Sequence, residues 1–291
     1  MSLLEAILMG LIQGITEFLP VSSSGHLALF QIAFDLEETG LLFDCLLHFG
    51  TLTAVFAVYY RDIWKMICEG FALVADACIN AGVAVARLAG NKDKRYRRVI
   101  CNGYRKFAML VIVSTIPTGV IGVAASDLIE AASAFLIVPG ICLIITSVLL
   151  FVADRCSEGH KTPKHVSYTN AFIIGICQGF ATLPGISRSG TTITACLLSG
   201  FDRKFAVKYS FIMSIPAILG SVVLQLFDLE NLQQITQSEW LYYLAGTLVS
   251  AIVGYICIKV MLFVVREKKY TIFSIYCLIV GVISIAAYFI L

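Results

Sequence analysis

Residues 13–26 read QGITEFLPVSSSGH: a glutamine and a glutamate four apart, a proline, three serines, a glycine and a histidine, all inside an otherwise apolar N-terminal stretch. Proline and a serine run cannot continue a plain helix, so the segment breaks at its middle. A second stretch behaves the same way. PGISRSGTT, residues 184–192, interrupts the apolar run 170–200. GLIQGITEFLPVSSSG (10–25) lies over GICQGFATLPGISRSG (175–190) without a gap at an offset of 165, with Gly10, Gln13, Gly14, Ser22, Ser24 and Gly25 on Gly175, Gln178, Gly179, Ser187, Ser189 and Gly190. Shared membrane composition supplies glycines but not matched glutamines and serines, so the pair reads as an internal repeat.

Around these breaks the chain is 59% hydrophobic and 14% charged, with a mean hydropathy of +0.89. That is too much apolar surface for a soluble fold to cover. Apolar runs at 41–60, 107–125, 134–153, 209–227, 240–264 and 271–291 are long enough to cross a bilayer as helices. The loops at 61–106, 154–168, 202–208 and 266–269 carry the lysines and arginines and are assigned to the cytoplasm; 35–44, 126–133 and 228–239 hold only acidic charges and are assigned outside. The basic cluster Lys92–Lys106 follows this inside rule and needs no nucleic acid. Residues 70–90 are apolar, yet Glu69, Asp76, Asn80 and Arg87 share one helix face, which predicts a helix along the cytoplasmic interface. The N-terminus lacks the basic flank of a signal peptide and is expected in the mature protein. Ten cysteines without a CxxC pair read as packing residues.

With these loop assignments, 3–34 precedes an outside loop and 170–200 lies between two cytoplasmic ones, so both read as re-entrant helical hairpins. The expected fold is an all-α integral membrane protein of six transmembrane helices plus two re-entrant helical hairpins. Its halves, 1–155 and 165–291, run in opposite directions, an inverted-topology repeat whose site falls where the broken helices meet.

At the first break Gln13 and Glu17 share a helix face, and Ser22, Ser23, Ser24 and Gly25 stand where a second helix begins. His26, three residues after Ser23, is placed to act on it as a base. At the second, Ser187, Ser189, Gly190 and Thr192 open a helix around Arg188, the one charge of that hairpin. A hydroxyl, a base, a carboxylate, a guanidinium and two helix N-termini together suit a phosphate ester or anhydride. Serines at breaks are ordinarily helix caps, and Glu17 with Arg188 would also serve as a structural ion pair. An intramembrane charge, however, costs about 3 kcal/mol or more, which argues for use. His48, inside span 41–60, reads first as a packed or hydrogen-bonded core residue and second as part of the cavity lining, and His160 and His165 receive no role.

QGITEFLPVSSSGH and PGISRSGTT resemble the two signature motifs of the undecaprenyl pyrophosphate phosphatase family of the bacitracin-resistance type. The resemblance covers nearly the whole chain. It implies an enzyme of the bacterial plasma (inner) membrane, active toward the outside, that removes the terminal phosphate of C55 polyprenyl pyrophosphate and so regenerates the carrier lipid of cell-wall synthesis. Gln13 takes the Glu-or-Gln place of the glutamate-rich motif, Glu17 its carboxylate, and Pro184 to Thr192 match the second motif in full; Ser-Ser-Ser stands where Ser-Ser-Thr is frequent. The implied site is Glu17, Ser23, His26 and Arg188 for catalysis, with Gln13, Ser22, Ser24, Gly25, Ser187, Ser189, Gly190 and Thr192 around the substrate. The resemblance also implies Mg²⁺ or Ca²⁺, for which Glu17 is the obvious protein ligand. The nucleophile stays open between Ser23, His26 and water, and the base for Ser23 between His26 and Glu17. Expected partners are the lipid, the membrane and a second copy in a homodimer, with no nucleic acid. A polyprenyl-phosphate flippase is the alternative, since carriers also use inverted repeats but need no hydroxyl beside a base. A type-2 phosphatidic acid phosphatase would place His six residues after the arginine; Thr194 stands there.

Overall fold

The computed structural model describes residues 1–33, 41–133, 135, 137–226 and 237–290. Among the described residues the chain forms eleven helices, and the only β contact is an isolated bridge between Lys161 and Phe201. They are α1 (Leu3–Phe18), α2 (Ser23–Ala33), α3 (Leu41–Leu88), α4 (Gly103–Ala124), α5 (Ser126–Ser133), α6 (Ile137–Arg155), α7 (Tyr168–Phe180), α8 (Arg188–Leu198), α9 (Arg203–Leu226), α10 (Gln237–Arg266) and α11 (Tyr270–Ile290). The acidic residues of two expected outside loops (Asp35, Glu37, Glu38, Asp228 and Glu230) lie outside the described residues, as do the side chains of Asp127 and Glu130.

Six helices (α3, α4, α6, α9, α10 and α11) are long and apolar enough to cross a membrane, matching the six expected spans. Exposed apolar side chains such as Ile116, Val148 and Ile252 leave these helices ready to meet lipid. By contrast α1, α2, α7 and α8 contain 16, 11, 13 and 11 residues. At a rise of about 1.5 Å per residue each is shorter than a hydrocarbon core of roughly 30 Å.

Three boundaries depart from expectation: the loop expected at 126–133 forms α5, the one expected at 202–208 is helical from Arg203 as the start of α9, and the first span runs on. The span predicted at 41–60 and the separate helix at 70–90 form a single helix of 48 residues, irregular only at Tyr59 (φ −109°, ψ 20°). No proline or glycine stands between residues 60 and 69 to stop it. The face marked by Glu69, Asp76 and Asn80 is used as its spacing implied. Arg105, at the start of α4, donates to Glu69 (2.7 Å), to Asp76 (2.6 Å) and to the Val99 carbonyl (2.9 Å), while Asn80 holds the backbone of Arg97. The loop after α3 thus folds back over the polar face.

Caps define four other starts. Ser2 and Glu5 form a reciprocal capping box on α1, Asn102 accepts from Arg105 N on α4, Ser167 accepts from Asn170 N on α7, and Asp154 accepts from the Tyr270 and Thr271 amides of α11. The two shortened helices are seated alike. α1 packs along α10, and α7 along α4. Gly10 touches the Gly246 backbone and Gly175 that of Ser114 so closely that a methyl on either would overlap a carbonyl oxygen. These two glycines, matched at the 165-residue offset, therefore permit the same close crossing.

Candidate active site

Both breaks open with the same cap. Ser22 Oγ accepts from Gly25 N (3.3 Å) and lies 3.4 Å from Ser24 Oγ. Ser187 Oγ accepts from Gly190 N (3.1 Å) and lies 3.3 Å from Ser189 Oγ. The residues matched at the 165-residue offset thus make matching bonds, and the ordinary capping role of serine is fulfilled at Ser22 and Ser187. The backbones differ. Ser22 is left-handed (φ 70°), an uncommon conformation for a residue with a side chain, whereas Ser187 is extended and Gly185 supplies the positive φ (93°) two residues earlier.

The helices end sooner than the prolines suggest. α1 stops at Phe18 and α7 at Phe180, ahead of Pro20 and Pro184. The freed residues let the tips meet: a methyl on Gly25 would lie 2.9 Å from Gly185 Cα. Gly185 is in turn pressed against Pro139 and Cys142 of α6. On the same helix Thr146 donates to the Gly185 carbonyl (3.0 Å) and accepts from Ser187 N (2.9 Å).

Across this contact Glu17 gathers the polar groups. Its Oε2 accepts from Ser23 Oγ at 2.6 Å and from Gln13 Nε2 at 2.9 Å; its Oε1 accepts from Arg188 Nη2. Glu17 has 3% of its side chain exposed and Arg188 24%, so the carboxylate is enclosed while the guanidinium keeps an open edge. Among the described residues Arg188 donates to no other group, which leaves most of its N–H fork for a ligand. The α8 N-terminus holds it there, with Arg188 the first helical residue and Thr192 bonded back to its carbonyl at 2.8 Å.

Two histidines stand near the first break. His26 makes its hydrogen bonds away from Ser23: its Nδ1 lies 2.7 Å from the Ser22 carbonyl and its Nε2 2.7 Å from Tyr276 Oη. The first turn of α2 carries the ring away from the serine hydroxyl, which turns instead to Glu17. His48 of α3, expected as a hydrogen-bonded residue, is that and more, with Nδ1 2.7 Å from Gln13 Nε2 and 3.3 Å from Glu17 Oε2. Nothing in the local sequence links it to the breaks, because the contact is made between helices. Ser189, Gly190 and Thr192 support α8 more than they face Glu17, Thr192 bonding to Ser210 at 2.6 Å. A cavity of about 430 Å³ opens beside the first break, lined by Ile12, Ile15, Thr16, His26, Tyr276 and neighbouring apolar side chains.

Residues 6–283 match the model of the family described as bacitracin resistance protein BacA. A protein of Methanosphaera stadtmanae named undecaprenyl-diphosphatase is 40% identical over 285 residues, 98% of each chain. One of the same name from Alkaliphilus metalliredigens is 39% identical over 289 residues, again 98% of each. Undecaprenyl-diphosphatase 4 of Bacillus thuringiensis is 36% identical over 287 residues, 98% of this chain and 97% of its own. With a match over nearly the whole chain and both break motifs inside it, the chain belongs to the bacitracin resistance protein BacA family.

Proposed function

We propose that this protein is a membrane-embedded phosphatase that hydrolyses undecaprenyl diphosphate to undecaprenyl phosphate and inorganic phosphate, returning the lipid carrier to cell-wall synthesis. The observation that carries this reading is the Ser23 hydroxyl donating to an enclosed carboxylate whose other oxygen faces an arginine with N–H groups to spare. A carrier needs a cationic binding site; it has no use for a hydroxyl held on a base.

In this mechanism Arg188 takes the non-bridging oxygens of the terminal phosphate. Glu17 removes the Ser23 proton as Oγ attacks the terminal phosphorus, and the anhydride bond breaks to release the lipid monophosphate. Glu17 passes that proton to the departing lipid phosphate; water, losing a proton to the restored carboxylate, then cleaves the phosphoserine, and the proton returns to Ser23 Oγ as inorganic phosphate leaves. Donors fixed before the reaction stabilise the charge that develops on phosphorus. Ser24, Gly25 and the first amides of α8 border the headgroup, Gln13 and His48 hold Glu17 in place, and the cavity beside His26 takes the first apolar part of the chain.

The resemblance calls for Mg²⁺ or Ca²⁺. Among the described residues no three His, Cys, Asp or Glu side chains converge to hold an ion, and both oxygens of Glu17 already accept hydrogen bonds. These residues do not fit a resident metal. A cation would arrive on the lipid diphosphate.

The wider placement belongs to the same proposal: a bacterial cytoplasmic membrane, two half-crossing hairpins of opposite orientation, a site facing outward, α3 beyond Tyr59 along the inner surface, and a homodimer. The matching caps and the α1–α10 and α7–α4 pairings support the inverted repeat. The deciding experiment is phosphate release from C55 pyrophosphate by purified protein in detergent, with no membrane gradient. Ser23→Ala should lose at least 100-fold in rate and yield no phosphoserine on acid quench; wild-type turnover in that variant would refute the mechanism, and no release by wild type would refute the function.

A further inference from the structure

His26 lies in the first turn of a helix at the break, yet its ring hydrogen-bonds to neither Ser23 nor Glu17. What it does touch is specific. A carbonyl oxygen can only accept, so the 2.7 Å contact with the Ser22 carbonyl places a proton on Nδ1. In the neutral ring Nε2 then carries a lone pair, and the Tyr276 hydroxyl, also at 2.7 Å, donates to it. The two rings are nearly parallel, 9° between planes with centroids 5.6 Å apart. The chain Tyr276 O–H, imidazole, Ser22 carbonyl therefore has one direction throughout.

The carbonyl at its end belongs to the residue with φ 70°, immediately before Ser23. A left-handed serine persists only where its surroundings hold it. The His26 ring is one such restraint, the cap to Gly25 N another. The turn so fixed sends the Ser23 hydroxyl back to Glu17.

Tyr276 comes from α11, at the far end of the chain, and its neighbour Cys277 places Sγ 3.8 Å from the Pro20 carbonyl, so α11 reaches both sides of the first break. The second break is gripped by α6, where fully buried Thr146 bonds the backbone directly. Tyr276 instead works through a side chain and is 43% exposed at the wall of the cavity beside the break.

We propose that Tyr276 is the positioning residue of His26, holding the imidazole on the Ser22 carbonyl and thereby aiming the Ser23 hydroxyl at Glu17. This rests on the phosphatase reading for its kinetic consequence, though not for the linkage itself. The test compares wild type, Tyr276→Phe, His26→Ala and the double variant on C55 pyrophosphate, and records ¹⁵N-histidine spectra of wild type and Tyr276→Phe in detergent.

Tyr276→Phe keeps the ring and loses only the donor. It should lower kcat about tenfold with KM within about twofold, the double variant should be no slower than His26→Ala, and the wild-type Nδ1–H tautomer of His26 should become a mixture in Tyr276→Phe. An unchanged melting temperature separates this from a loss of fold. Wild-type kcat in Tyr276→Phe, multiplicative losses in the double variant, or identical His26 spectra would each overturn the proposal. If the wild type releases no phosphate, the phosphatase reading fails and the spectra alone decide whether Tyr276 sets the ring.

Discussion

At the residue scale the site turns on one enclosed carboxylate with three donors, Ser23, Gln13 and Arg188. Removing either charge of the Glu17–Arg188 pair strands the other in a medium that solvates it poorly. Glu17→Gln should therefore lose turnover and also stability, by about 3 kcal/mol. Pairing it with Arg188→Gln should restore most of the stability and none of the phosphate release, which thermal melting and the enzyme assay read separately. Arg188→Lys keeps the charge but not the planar fork, and is expected to retain at most a few per cent of the activity, about the loss of one strong bidentate contact. The residue types here were legible in the sequence because an ionisable group inside an apolar run is costly to keep unless the protein uses it. Their partners were less so. Spacing joined Gln13 to Glu17, four apart on one helix, whereas the Ser23–Glu17 bond crosses a break whose turn depends on a left-handed serine, and His48 and Tyr276 arrive from helices distant in sequence.

At the scale of elements the breaks are stable because neighbouring helices complete them. Thr146 satisfies a buried amide and a buried carbonyl of the second break at once. Thr146→Val, close in shape but without the hydroxyl, should lower stability by about 2–4 kcal/mol and be seen as a fall in melting temperature in detergent. Gly185→Ala should be worse still. It places a methyl at φ 93° against Pro139 and Cys142, and its expected readout is poor recovery of folded protein. Helix existence was readable from hydropathy and break residues, since each span is a long apolar run. Boundaries were not. The continuation of α3 through residues 60–69 depends on Arg105, Asn102 and the folded-back loop covering charges that in isolation look like a reason to stop.

Over the whole molecule the basic segments expected inside meet through helix ends: Arg105 of α4 on Glu69 and Asp76, Lys208 of α9 on Asp62, and Arg203 of α9 on the Cys156 carbonyl. In a background lacking its own exposed cysteines, Lys94→Cys and Lys164→Cys should react with a membrane-impermeant thiol reagent from the cytoplasmic face and not from the other. Opposite labelling of the two would break the orientation scheme. The matched glutamines and serines of the two breaks were visible in the sequence, but which helix seats which was not, because small residues at a crossing say nothing of their partner. The pairing of α1 with α10 has a consequence for biosynthesis. Gln237, where α10 begins, follows Phe18 by 219 positions. At a synthesis rate of about 5–20 residues per second, α1 waits roughly 10–40 s for its mate. For most of that interval Glu17 has no Arg188 to face, so the newborn N-terminal segment must be sheltered by the insertion machinery or linger at the bilayer surface until the ribosome has nearly finished.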